Sequence, residues 1–365
     1  MAQHMPTKFF RPAEWDRQSA VLMAWPAQAN DAYEDSRDLK AATKDVSAIA
    51  DAVALFQPVV IMVTPERLQD AQERFKHTKN ASVVIISYYH KLDLWMRDMA
   101  PTFVVNDDSN SAQLYGVDYN FNGWGNKYPT GSNRSLADII LQGRYTPAIR
   151  SNLVGEGGSF EVDGEGTVIL TESSVIIDNR NPGKGKAEIE QELQRTLGVE
   201  KIIWIPGRRG LEITDSHIDG LVRFVSPGKV LLSRPNNVDE GGVWVDVYHE
   251  AYDILSKTTD ASGRRLQIVE VEEADLYALG VEKKLLKDIE AEVEDYPSLS
   301  YVNYLLVNDG VIFPQFGDRK ADKAALKLIQ SLYPNRDIEA VYISELPFLG
   351  GGIHCSTQEV PVPKD

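Results

Sequence analysis

The sequence predicts a mixed α/β protein of one domain over residues 1–365. Two observations carry this reading: segments with helical spacing alternate with short strand-like runs from end to end, and no Pro-, Ser- or charge-rich linker is long enough to divide the chain. From Glu34 to Phe56 the apolar positions Leu39, Val46, Ile49, Val53 and Phe56 lie on one face of an amphipathic helix. Val59–Val63 follows as a strand. Pro65 suits the first position of a second helix that buries Leu68, Ala71 and Phe75. Strand-like runs then occupy Ser82–Ser87, Thr102–Asn106 and Leu114–Tyr119, the last two joined by a turn at Asp107-Asp108-Ser109-Asn110. A second turn, Asp163-Gly164-Glu165-Gly166, leads into a strand at Thr167–Thr171. Ile189, Leu193 and Leu197 mark a helix from Lys186 to Leu197, with Gly198 as its C-terminal cap. Strands are expected at Lys201–Ile205, Leu221–Val225, Val230–Ser233, Ile268–Val271 and Tyr301–Val307, and a last helix carries Ala321, Ala325, Leu328 and Leu332 before Pro334. No internal sequence repeat is visible. The opening Met1-Ala2-Gln3-His4-Met5 is set aside as an expression scar.

With 43% hydrophobic and 25% charged residues the chain can bury a large core. No apolar run approaches the ~20 residues of a membrane span, and the N-terminus lacks the apolar stretch of a signal peptide. A single cysteine cannot form an internal disulfide, so a reducing, cytoplasmic home is expected. The net charge of −16 argues against nucleic acid and anionic membranes as partners and favours a small cationic one. A homo-oligomer is compatible with all of this.

Cys355, the lone thiol, follows Gly350-Gly351-Gly352-Ile353-His354. Buried free cysteines are commonly inert. Three glycines, however, allow the tight bend and close approach that a presented nucleophile requires. Glu156 sits among Gly155, Gly157 and Gly158, as a surface-turn residue or as a carboxylate held by tight backbone. If the segment Asp215-Ser216-His217-Ile218-Asp219-Gly220 is extended, His217 and Asp219 share one side, either as an exposed polar edge or as an acid/base beside a cation anchor. Trp95-Met96-Arg97-Asp98 offers a flat ring and a carboxylate for a planar cation; an internal Arg97–Asp98 ion pair is the plainer alternative. His354 and Cys355 are adjacent and point apart in an extended chain, so no shared metal is assigned, and His217 is the better partner for the thiol. The Gly-rich stretches complete no nucleotide-binding fingerprint, and no cofactor is expected.

Together these windows resemble the agmatine deiminase and bacterial-type peptidyl-arginine deiminase family of guanidine-modifying enzymes. The resemblance runs through Arg11-Pro12-Ala13-Glu14-Trp15, Trp95-Met96-Arg97-Asp98, Glu156-Gly157-Gly158-Ser159, Asn179-Arg180-Asn181-Pro182, His217-Ile218-Asp219-Gly220 and Gly351-Gly352-Ile353-His354-Cys355, in order over most of the chain. It implies a five-bladed α/β propeller of ββαβ modules about a pseudo-fivefold axis, with a central active site. It implies Cys355 as nucleophile, His217 as general acid/base, Glu156 as second acid/base or guanidinium contact, Asp98 and Asp219 as the carboxylates that grip the guanidinium, and Trp95 as a pocket wall. The implied reaction is deimination of agmatine to N-carbamoylputrescine and ammonia, or of arginine or an arginine derivative to a citrulline product. An amidinotransferase and a non-catalytic arginine-binding protein are the alternatives. Three departures bear on substrate: Ile213 where agmatine members commonly carry an acid, Met99-Ala100 where the family usually shows Thr-Gly, and Gly352 where asparagine is frequent.

Overall fold

The computed structural model describes residues 8–27, 36–86, 91–106, 112–128, 133–291 and 296–363. The turn expected at residues 107–110 and the five N-terminal residues expected to be an expression scar fall outside them. The described chain forms five mixed sheets. Each contains an antiparallel pair whose second strand is followed by a helix that returns the chain to a parallel third strand. Thr102–Asn106 pairs with Leu114–Asp118, and helix Leu136–Gly143 leads to Ala148–Arg150. Glu161–Val162 pairs with Thr167–Thr171, and Lys186–Leu197 leads to Lys201–Ile205. Val222–Ser226 pairs with Lys229–Arg234, and Val243–Lys257 leads to Gln267–Glu272. Leu305–Val307 pairs with Gly310–Gln315, and Arg319–Leu332 leads to Asp337–Tyr342. The remaining sheet joins the chain ends: Thr357–Pro361 pairs with Gln18–Ala24, and Ser36–Ala54 leads to Val59–Val63. The absence of a visible sequence repeat therefore hides a repeated structural plan, because the plan constrains strand and helix periods and leaves residue identity free.

Local chemistry accounts for the element ends. Gly198 ends its helix with φ +68°, a left-handed conformation that suits glycine, and a Cβ there would collide with the Phe9 carbonyl. Asp318 caps Arg319–Leu332, its side chain accepting from the backbone N–H groups of Lys320 and Ala321. In the turn at residues 163–166, Asp163 Oδ1 accepts from the N–H of Glu165 and of Thr167, both at 2.8 Å. The first helix buries Val46, Ile49 and Val53 completely, as its spacing requires. Tyr301–Val307 is only partly a strand: pairing begins at Leu305, while Tyr301 and Tyr304 turn their hydroxyls to Asp322 and Tyr333. Among the described residues no helix is long and apolar enough to cross a membrane.

Candidate active site

The residues singled out in the sequence lie at one recurring place in the plan. Just before the first strand of each antiparallel pair the chain makes a tight turn. Asp98 lies in helical turn Met96–Met99, ahead of Thr102–Asn106. Glu156 precedes the 3-10 turn Gly157–Ser159, ahead of Glu161–Val162. His217 and Asp219 lie at the 3-10 turn Ile218–Gly220, ahead of Val222–Ser226. Cys355 lies in the turn ahead of Thr357–Pro361. The fourth sheet contributes Asn303, ahead of Leu305–Val307.

Three of these turns meet at Gly158, and those of Cys355 and Asn303 join them through Asp219. A Cβ on Gly158 would stand 2.7 Å from His217 Nδ1, 3.0 Å from Asp98 Oδ1 and 3.1 Å from Asp219 Oδ2. The glycine is thus needed for close approach, leaving its N–H to donate to Asp98 Oδ1 at 3.1 Å. Asp98 Oδ2 accepts from Trp124 Nε1 at 2.9 Å. The His217 ring stands between two carboxylates, with Nδ1 3.7 Å from Asp98 Oδ1 and Nε2 3.4 Å from Glu156 Oε2. Burial works against its charge, but Asp98, Glu156 and Asp219 outweigh burial and raise its pKa to about 9. Asp98 moves up to about 6, driven by burial and by the like charges of Asp219 and Glu156 against the pull of His217. Glu156, fully buried, stays below its ordinary value despite burial because Arg180 and His217 hold its charge.

Cys355 is partly buried. Its Sγ accepts from Asn303 Nδ2 at 3.1 Å and lies 3.6 Å from Asp219 Oδ2. Burial, then Asp219 and Asp98, push the thiol well above its usual range. Asn303 also accepts from the N–H of His354 and of Cys355 at 3.0 and 3.3 Å, fixing the turn that presents the sulfur. Gly351 and Gly352 make this possible: a Cβ on the first would strike the Trp95 ring, and on the second would lie 2.6 Å from Asn303 Oδ1. The His354 ring is engaged elsewhere, with Nδ1 2.7 Å from Asp219 Oδ2, the oxygen that the sulfur also approaches, and Nε2 2.8 Å from Glu14 Oε2. Burial would raise the pKa of Asp219, and the His354 hydrogen bond and charge hold it down.

Several expectations change. The segment around His217 is not extended: Asp215 and Ser216 take φ +62° and +71°, and a 3-10 turn follows. His217 and Asp219 nevertheless meet at Gly158, through the turn rather than through strand alternation. Glu156 is no surface-turn residue. Arg97 does not pair with Asp98 but with buried Glu359 and, at 3.6 Å, with Glu14; its N–H also donates to the Cys355 carbonyl at 3.0 Å. Asn303, Trp124, Glu14 and Arg180 lacked a chemical signature of their own, although Glu14 and Arg180 lie inside motifs that carried the resemblance. Asn303 could have been found by its place before a strand. A separate cavity of about 180 Å³, lined by Leu279, Val281, Leu299, Phe316 and Phe348 among others, contains none of these groups.

Whole-chain comparisons fit this arrangement. The model of the Porphyromonas-type peptidyl-arginine deiminase family matches residues 10–361. The agmatine deiminase of Pseudomonas fluorescens is 35% identical over 366 residues, which cover 97% of this chain and 96% of the relative. That of Pseudomonas aeruginosa is 35% identical over 367 residues, covering 98% and 96%. The solved agmatine deiminase of Enterococcus faecalis superposes with a TM-score of 0.84 at 30% identity, over 97% of this chain and 96% of that one. These likenesses define a hydrolase acting on the carbon–nitrogen bonds of amidines. The chain belongs to the agmatine deiminase and Porphyromonas-type peptidyl-arginine deiminase family.

Proposed function

We propose that the protein deiminates agmatine to N-carbamoylputrescine and ammonia through a covalent thiouronium on Cys355. The observation that carries this is one connected cluster of a thiol, an imidazole and three carboxylates: His217, Asp98 and Asp219 meet at Gly158, Cys355 Sγ lies 3.6 Å from Asp219, and Glu156 lies 3.4 Å from His217. A planar cation with several N–H donors satisfies such an excess of negative charge, and relatives named agmatine deiminases match almost the whole chain. The same five loop contributions, one from each sheet, support a pseudo-fivefold propeller with the site on its axis.

In this reading Asp98 and Asp219 accept hydrogen bonds from the guanidinium and fix its plane, while Trp95 walls the pocket. Each charge-assisted bond contributes on the order of 1.5–3 kcal/mol. The bound cation offsets the field that keeps Cys355 protonated, so substrate binding itself favours the thiolate. Sulfur attacks the central carbon, and His217, already carrying a proton, gives it to the departing nitrogen. Ammonia leaves. His217, now neutral and supported by Glu156, takes a proton from water, which attacks the thiouronium; the adduct expels the thiolate and gives its hydroxyl proton to solvent, where the released ammonia becomes ammonium. The neutral ureido product no longer balances the carboxylates and departs. Acid quenching during turnover should trap Cys355 with the mass of the substrate less ammonia; agmatine turnover with no adduct under any quench condition would count against the covalent route.

Deimination of arginine or an arginine derivative is the second reading. Ile213 offers no charge to a distal ammonium, and neighbouring Glu212 is committed to Thr214 and the Ser216 N–H.

The pH profile follows from three perturbed groups. The clamp needs Asp98 ionised, the leaving group needs His217 protonated, and Cys355, protonated in the free enzyme, must give up its proton. kcat/KM, which reports free enzyme and free substrate, should climb with pH from about 6 and level off in an alkaline limb that begins near pH 9, where His217 loses its proton. A profile that keeps climbing through pH 9 would remove His217 as the proton donor. The raised His217 value also contributes stability that is fully present below its unfolded value near 6.5 and lost as pH climbs through about 9.

A further inference from the structure

We infer that Arg180 is a positioning residue that sets the Glu156–His217 geometry from behind the site, an inference that rests on the deiminase reading above. Arg180 is almost wholly buried. Its Nε donates to both oxygens of Glu156, at 2.8 and 2.9 Å. The same guanidinium reaches the other way: one terminal nitrogen donates to Asp215 Oδ2 at 2.7 Å and the second to the Thr214 carbonyl at 3.1 Å. A single rigid fork thus holds the carboxylate on one side of His217 and the backbone that carries His217 on the other.

That backbone needs holding. Asp215 and Ser216, the two residues before His217, both have left-handed φ, a conformation uncommon for single L residues and rarer for two in succession. The arc is fixed at every polar group. Gly210 N–H donates to Asp215 Oδ1 at 2.7 Å, and Lys127 pairs with Asp215 Oδ2 at 2.8 Å. Ser173 Oγ donates to the Asp215 carbonyl and Thr171 Oγ1 to the Ser216 carbonyl, each at 2.7 Å. Among these tethers Arg180 alone also touches Glu156. Its neighbours extend the role. Asn181 ties down Val154, two residues before Glu156, through both its N–H and its carbonyl. The Asn179 carbonyl accepts from Asn122 at 2.9 Å, next to the turn whose Trp124 donates to Asp98. The Asn179-Arg180-Asn181 segment, which the proposed chemistry leaves unused, therefore braces two of the turns that build the site, those of Glu156 and His217, and the Trp124 turn that backs Asp98.

A lysine at 180 keeps the charge but offers one point of attachment, so it cannot hold Glu156 and the Asp215 arc together. The proton-handling pair would be misplaced while Asp98, Asp219 and Cys355 keep their own partners. The test measures agmatine turnover of wild type and Arg180→Lys per reactive Cys355, counted by labelling with a haloacetamidine, so that misfolded molecules drop out. The expected result is a kcat per reactive thiol lower by about 100-fold with KM within about threefold of wild type. A per-site kcat within about threefold of wild type, or an effect confined to KM, would overturn the inference. If Arg180→Lys yields no reactive thiol, Asp215→Asn carries the test. It keeps the acceptor for Gly210 and loses the charge facing Arg180, and should lower per-site kcat by about tenfold; an unchanged value would overturn the inference. Wild type that releases no ammonia from any guanidinium would instead strike the deiminase reading, a result the variants cannot mimic.

Discussion

Cys355→Ser should lower kcat for agmatine by about four orders of magnitude while agmatine still binds. The covalent route requires an atom that can both attack the guanidinium carbon and leave again, and a serine hydroxyl at this position has no strong base to activate it. His217 holds its proton up to about pH 9, so it cannot serve as that base near neutrality. The carboxylates proposed to grip the cation do not depend on sulfur: Asp98 is held by Trp124 and Gly158, and Asp219 by His354. Ammonia release and calorimetric titration of the variant separate the two effects. Residual turnover above about 1% of wild type would show that sulfur is not the nucleophile.

Asp98→Asn should cost about 2–4 kcal/mol in kcat/KM, roughly 30- to 1000-fold. The variant loses one of the two proposed guanidinium anchors. It also turns an amide N–H toward a donor, because Trp124 and Gly158 each donate to one oxygen of the native carboxylate. A second signature separates this from general damage. Asp98 is the foremost charge raising His217, so the alkaline limb of kcat/KM should move below pH 9 in the variant. Near-normal turnover with an unmoved alkaline limb would take Asp98 out of the site.

Periodicity located the helices and strands that have one wet and one dry face. Wholly buried strands rich in β-branched residues, Thr102–Asn106 and Thr167–Thr171, are legible as well, but two others give neither signal. Gln18–Ala24, a central strand, is an almost unbroken buried run after Ser19 and offers no alternation to read. Thr357–Pro361 is polar in composition yet wholly buried, because Glu359 faces Arg97 and Arg11. Helix Val243–Lys257, not among the expected elements, carries a buried stripe of Val247, Tyr248, Ala251 and Leu255 at helical spacing.

The site divides along a similar line. Residues with intrinsic chemistry, a thiol, an imidazole and carboxylates beside glycines, could be picked out one window at a time. Their assembly could not, because Asp98 and Cys355 meet through folds of chain separated by more than half the sequence. Asn303 shows the cost most clearly: an ordinary amide in sequence, it becomes a hydrogen-bond donor to the sulfur only once Leu305–Val307 takes its place among the five sheets. His354 is the converse. Its position beside Cys355 invites pairing, but its ring is taken by Asp219 and Glu14.

The central claim is that the thiol meets a guanidinium carbon, and product analysis tests it most directly. The purified protein is supplied in turn with agmatine, free arginine and arginyl peptides, and ammonia and ureido product are both quantified. The account predicts one ureido group formed for each ammonia released, with agmatine the fastest substrate. Release of neither product from any of the three would contradict it.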